Sequence, residues 1–187
     1  MSRRPAADPR LPVLPADLVL RTPRLRLEPV RAADAAEVEA LVGDPDLWSH
    51  VDPPRHLATG TRAWLEQQER RRAPTGSALW LTWLVRPAAG GAGVGQVQAT
   101  VVAGDDGPQA ELSWLVARAC QRRGYATEAT RAVAAWLGDR LGVRRLHAHV
   151  PDGHTASEAV ARRVGLVPSP GLLDGERRWS AALPPRP

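Results

Sequence analysis

A chain of 187 residues with 43% hydrophobic content can bury roughly 70% of its unfolded surface in one domain. Its single cysteine excludes an intrachain disulfide, and no secretory leader or run of about 20 apolar residues is read, so a cytoplasmic location is expected. Net charge +5 and a pI near 11.0 favour anionic ligands, yet all 25 basic residues are arginine and Lys, Ile, Asn and Phe are absent, as expected of a GC-rich bacterial genome. The arginine pairs are dispersed along the chain and no nucleic-acid motif accompanies them, so nucleic acid is not an expected partner.

Residues 1–16 are rich in Pro, Arg and Ala without periodicity and are expected to be a loose arm ahead of one domain at 17–184. From Leu18 to Val30, Leu25 and Leu27 alternate with Arg24, Arg26 and Glu28, the pattern of a first strand. A short helix is predicted over 34–42, then a loop over 44–54 where Asp and Pro cluster, then a helix over 59–72. Strands are predicted at 78–86 and 94–102. The glycines at 90, 91, 93 and 95 fit no nucleotide-loop pattern and are read as a hairpin turn.

A turn at 104–107 leads into a central strand at 110–116. The helix after it, over 126–141, carries Ala129, Val133, Trp136, Leu137 and Leu141 at helical spacing and stops at Gly142. With a strand at 144–150, this makes a crossover whose two strands should be parallel neighbours. Thr155-Ala-Ser-Glu158 fits a capping box opening a helix to about Val164. Strands at 166–168 and 176–182, joined through Asp174-Gly175, close the chain. The expected class is α+β, a mixed sheet flanked by helices.

Gln121-Arg122-Arg123-Gly124-Tyr125-Ala126 links the central strand directly to its helix. That junction aims the helix's first unpaired N–H groups at the loop, where an anion can sit, and Gly124 permits close approach of the backbone to a ligand. A helix dipole contributes about 0.3–1 kcal/mol. Each hydrogen bond to a charged group contributes about 1.5–3 kcal/mol, so three or four N–H groups outweigh the dipole. A di- or polyphosphate is the expected ligand.

Q-x-x-G-x-A between a strand and a helix resembles the acetyl-CoA pyrophosphate loop of the GNAT N-acetyltransferases. The run from Glu111 to Ala129, and the opening strand from Leu20 to Leu27, resemble the RimJ/RimL branch of that superfamily. The resemblance implies the GNAT fold, in which central parallel strands splay and the pantetheine arm of acetyl-CoA lies between them. It implies direct acetyl transfer to a primary amine, on a protein N-terminus or a small molecule, with no metal and no covalent enzyme intermediate. An amine acceptor is thus the second expected partner; a homodimer is left open. The resemblance places acetyl-CoA on Gln121, Arg122, Arg123, Gly124, Tyr125, Ala126 and Thr127, with Leu115, Val116, His154 and Ser157.

By position, the backbone N–H of Leu115 or Val116 would stabilise the oxyanion. Ser157 matches a family serine proposed to protonate the departing thiolate, and Thr155 or Ser157 could instead simply serve the helix start. His154 stands where the family has Asn, which puts that contact in question. Glu111 is the candidate for deprotonating the amine, directly or through water. His50 and His56, in the acceptor loop, are candidate bases or substrate contacts, and Trp48 beside them is a candidate substrate contact. Cys120 is read as packing. His147 and His149 share a strand face as two metal ligands could, but no third ligand has suitable spacing. A second reading is a non-catalytic module that binds acyl-CoA for sensing, prompted by His154 and the lack of a clear acid.

Overall fold

The computed structural model describes residues 8–48, 53 and 60–184. Among them, eight strands form one sheet: β1 (Leu20–Arg21), β2 (Leu25–Pro29), β3 (Ala78–Pro87), β4 (Gly95–Val102), β5 (Gln109–Val116), β6 (Arg145–Pro151), β7 (Val167–Leu173) and β8 (Glu176–Ala182). Their order is β1-β2-β3-β4-β5-β6-β8-β7. Only β5 and β6 run parallel, as the crossover between them requires. Among the described residues four α-helices flank the sheet: α1 (Ala35–Val42), α2 (Thr61–Glu69), α3 (Tyr125–Leu141) and α4 (Thr155–Val164).

Helix α3 forms because its buried positions recur every three or four residues: Thr130, Val133, Ala134, Leu137 and Leu141. Its first turn carries Glu128 and its last Arg140, both favourable to the helix dipole. Gly142 ends it at φ 65°, the left-handed turn that glycine adopts without strain. The buried stripe belongs to the same core as Val97, Ala99, Leu112, Leu146, Ala148 and Trp179 of the sheet. Trp136 is half-buried and meets Trp83 edge-on at 5.6 Å, the favoured geometry for two aromatic rings.

The opposite face is covered over β3 by α1 and α2, through Val38, Leu41, Val42, Leu65 and Leu84. Farther along, strand alternation and register place Gln96, Gln98, Glu111, Ser113, His147 and His149 together on that face. One face of β4–β6 is therefore apolar under α3, and the other is a polar strip.

Three sequence expectations are corrected. The first strand is a tight hairpin, because Pro23 has no N–H for a ladder and the Thr22 hydroxyl and N–H both engage Leu25. The cap of α4 is His154, not Thr155: its Nδ1 accepts the Ser157 N–H at 3.1 Å, the role expected of the Thr hydroxyl, while Thr155 is already helical. The strand expected at 166–168 runs to Leu173, paired with β8 around Asp174 and Gly175, both left-handed. Within residues 1–16, Leu11 is buried and the Asp8 N–H donates to the Gly76 carbonyl. The 3-10 turn Pro45–Trp48 is described, whereas His50 and His56 lie outside the described residues.

Candidate active site

β5 pairs with β4 from Gln109 to Val116, eight residue pairs, but with β6 only at Gln109–Arg145, Ala110–Leu146 and Glu111–His147. Past Glu111 the parallel strands fork. The fork opens into a cleft of about 540 Å³, walled by Trp114, Leu115 and Val116 on one side and by His149, Val150 and Pro151 on the other.

Antiparallel alternation tells which backbone groups of β5 face the gap. The Ala117 N–H donates to Val94, and the Leu115 carbonyl points at Gly95 closely enough that a Cβ there would lie 2.4 Å from it. Leu115 therefore turns its N–H and C=O toward β4. Val116 turns the other way: its carbonyl accepts from Gln121 Nε2 at 3.1 Å, and its N–H faces the cleft. Of the two candidate oxyanion donors, the geometry favours Val116.

At the cleft's end lies the basic loop. Arg122 and Gly124 are both left-handed, at φ 63° and 79°, and this alternation curls successive N–H groups around one point, an anion-binding nest. From Arg122 to Thr127, six consecutive N–H groups have no partner among the described residues. A Cβ on Gly124 would meet only Arg24 Nη2, at an ordinary 3.5 Å. Glycine is thus favoured by its φ, not by crowding within the protein.

The loop is braced from the other end of the chain. Arg24 Nη1 donates to the Arg123 carbonyl at 3.0 Å, and its Nε to Glu128 Oε2 at 2.7 Å, while its guanidinium lies 5.2 Å from the centre of the Tyr125 ring. The Thr22 hydroxyl donates to Glu128 Oε1 at 2.6 Å. Burial alone would raise the proton affinity of Glu128, but these hydrogen bonds together outweigh it and hold the carboxyl below its ordinary range. Sequence reasoning missed Arg24 and Glu128, which lie 104 residues apart. A second groove lined by Arg21, Arg24, Arg131 and Arg163 continues from Gly124.

Ser157 lines the cleft from the first turn of α4, and its hydroxyl has no partner among the described residues. With Nδ1 of His154 accepting from the Ser157 N–H, the neutral ring carries its proton on Nε2. Trp48 lines the cleft too, its indole N–H held by the Val42 carbonyl at 2.9 Å. Cys120 is half-buried against the core and reaches the cleft wall. Gln96 is 5% exposed in the cleft wall with its Oε1 unpartnered, another residue that sequence reasoning missed. Glu111 sits at the crotch of the fork, outside the cleft wall, 3.2 Å from His149 Nδ1. Among the described residues no three His, Cys, Asp or Glu converge as a metal would need, and no helix is long and apolar enough to cross a membrane.

The sheet forks at its parallel pair, and a nest of N–H groups without partners among the described residues stands at the start of the following helix. The sequence profile of the acetyltransferase (GNAT) domain matches residues 24–167, and the chain belongs to this acetyltransferase family. A comparison with curated proteins found no match. Among solved structures, the fold is similar to a ribosomal-protein alanine acetyltransferase from Vibrio fischeri, at 14% identity and TM-score 0.72, covering 89% of this chain and 97% of that one. It is similar to RimJ of Mycobacterium smegmatis in complex with a CoA disulfide, at 23% identity and TM-score 0.69, covering 88% and 85%. The microcin self-immunity acetyltransferase MccE, in complex with acetyl-CoA and AMP, is similar at 15% identity and TM-score 0.70, covering 87% and 94%.

Proposed function

We propose that the protein transfers the acetyl group of acetyl-CoA to a primary amine, on a peptide N-terminus or a small molecule, by direct attack in a ternary complex. The observation that carries this reading is the fork between β5 and β6 opening onto six N–H groups without partners among the described residues. The diphosphate lies against Arg122 to Thr127, and Arg21, Arg24, Arg131 and Arg163 supply positive charge for the rest of the nucleotide. The pantetheine arm runs along β5, where Trp114 and Val116 offer backbone groups as a missing strand would meet them.

The amine nitrogen's lone pair attacks the thioester carbon, and the carbonyl π electrons move to oxygen. The Val116 N–H stabilises that oxyanion, a term whose removal typically costs about 2.7–4 kcal/mol elsewhere. Collapse re-forms C=O and breaks C–S. The thiolate takes a proton from the Ser157 hydroxyl, which solvent then restores, and the nitrogen loses its surplus proton on the Glu111 side of the cleft.

Gly124→Glu tests the reading. A carboxylate thrust among groups that supply about 1.5–3 kcal/mol each should weaken acetyl-CoA binding at least about 100-fold by calorimetry. Wild-type-like affinity would remove the phosphate-loop assignment. Thiol release across primary amines and peptides with free N-termini tests the transfer; tight binding without release would favour the sensing module.

A further inference from the structure

We infer that His149 is the group that takes the amine's proton, and that Glu111 is a positioning residue acting through it. This rests on acetyl transfer as proposed above. Glu111 belongs to the last paired register position, opposite His147, so it lies behind the fork and is not part of the cleft wall. His149 is the next residue on the same face of β6, the first beyond the fork, and it lines the cleft. The two side chains meet at 3.2 Å between Glu111 Oε1 and His149 Nδ1.

An ionised carboxylate can only accept, so Nδ1 carries the hydrogen and the neutral ring's lone pair sits on Nε2. That nitrogen has no partner among the described residues. A carboxylate that fixes the tautomer and stabilises the imidazolium, with the opposite nitrogen left for the substrate, is the arrangement of a general base. Charged and titratable groups face the ring from three strands. Arg178 stands opposite His149 on β8, Glu111 offsets it from β5, and His147 is half-buried two residues back. His154, Arg163 and Glu176 line other parts of the same cleft.

The proton balance is simple. After attack, the N–H proton on the cationic nitrogen of the tetrahedral adduct moves to His149 Nε2. The nitrogen keeps the bonding pair, and the resulting imidazolium, paired with Glu111, releases the proton to solvent after the amide and CoA leave.

Two measurements on the full chain test the assignment. The first is 15N NMR of histidine-labelled protein with acetyl-CoA bound, which needs no acceptor. The Nδ1–H tautomer is expected for His149 and should be lost in Glu111→Ala, which leaves Nδ1 no acceptor; an Nε2–H tautomer in the wild type would overturn the proposal. The second is the pH profile of kcat/KM with the best acceptor from the amine panel. His149→Gln should lower kcat/KM about 100-fold or more and abolish the acidic limb. Glu111→Gln should lower it less and displace that limb without abolishing it. A limb that survives in His149→Gln but vanishes in Glu111→Gln would make Glu111 the direct base and sink the inference. Calorimetry separates the two levels of failure, since acetyl-CoA affinity in both variants should stay within about twofold of wild type, and its loss would count against the role assigned here rather than against acetyl transfer.

Discussion

β5 has two neighbours and treats them differently. With β4 it shares eight residue pairs; with β6 it shares three and then parts. The two sides differ in what else holds the strands together. β4 and β5 are joined by their ladder and by a close approach at Gly95. β6 can leave β5 because β8 pairs with it over seven residues and Leu146, Ala148 and Val150 remain buried in the core. A sheet can thus carry a slot in its middle where each side is clamped independently, and the backbone groups left unpaired there are available to a ligand.

The largest effect should come from loosening the clamp on the β6 side. Trp179 is 1% exposed on β8, opposite Ala148, with the Arg162 guanidinium 5.0 Å from its ring centre. Trp179→Ala should cost about 3–5 kcal/mol in urea unfolding. A loss under about 1 kcal/mol would show that the far half of the sheet is held by something other than its buried face.

On the zipped side, Gly95→Val places a branched side chain against a backbone carbonyl that a Cβ would approach to 2.4 Å. The φ of Gly95 is not left-handed, so the penalty is crowding rather than backbone strain. Overpacking of this kind costs about 1–3 kcal/mol. Because the carbonyl belongs to Leu115, thiol release should fall even at temperatures where the variant stays folded. Unchanged activity would mean that the end of β5 is not where the acyl group is held.

A smaller effect is expected at the brace. Arg24→Ala removes the hydrogen bond to the Arg123 carbonyl and leaves Glu128 with Thr22 and the main chain. Arg24 is half-exposed, so little stability should be lost. A looser nest should weaken acetyl-CoA about tenfold, roughly 1.4 kcal/mol, by calorimetry. Equal affinity in wild type and variant would show that the loop keeps its curl unaided.

The smallest effect is a pH dependence beside the fork. Burial first, then the charge of Arg178, holds His147 below the ordinary imidazole value, against the pull of Glu111. The folded state therefore binds fewer protons than the unfolded chain once pH falls below the unfolded imidazole's value of about 6.5. This contribution to stability is complete above that pH and fades below it. Glu37 and Glu128 are held below the carboxylate range, so their contributions are present above that range and are lost only as pH falls through it. Melting temperature should drop less in His147→Gln than in wild type between pH 7.5 and 5.5. An identical drop would assign the dependence elsewhere.

Much of this architecture was legible before any coordinates. The period of two in β5, the three-to-four spacing in α3 and the glycine stop at 142 are local, and the parallel crossover follows from them. The loop-to-helix junction was legible because glycine marks where the main chain turns left. The cap at His154 was not, because a histidine ring only mimics a serine or threonine hydroxyl when the backbone brings Nδ1 within reach. The hairpin at Pro23 was masked by a leucine alternation that continues across it.

The sequence by itself determined most of the elements, the parallel crossover and the loop-to-helix junction at Gly124, all of which depend on residues close along the chain. Only the tertiary structure decided where β5 and β6 part, that Val116 rather than Leu115 turns its N–H to the gap, and that Arg24 reaches Glu128 and Glu111 reaches His149. Those are matters of register and of distance between residues far apart in sequence. A one-residue slip of register would reverse every one of the facings across the sheet without changing the local pattern that each strand presents.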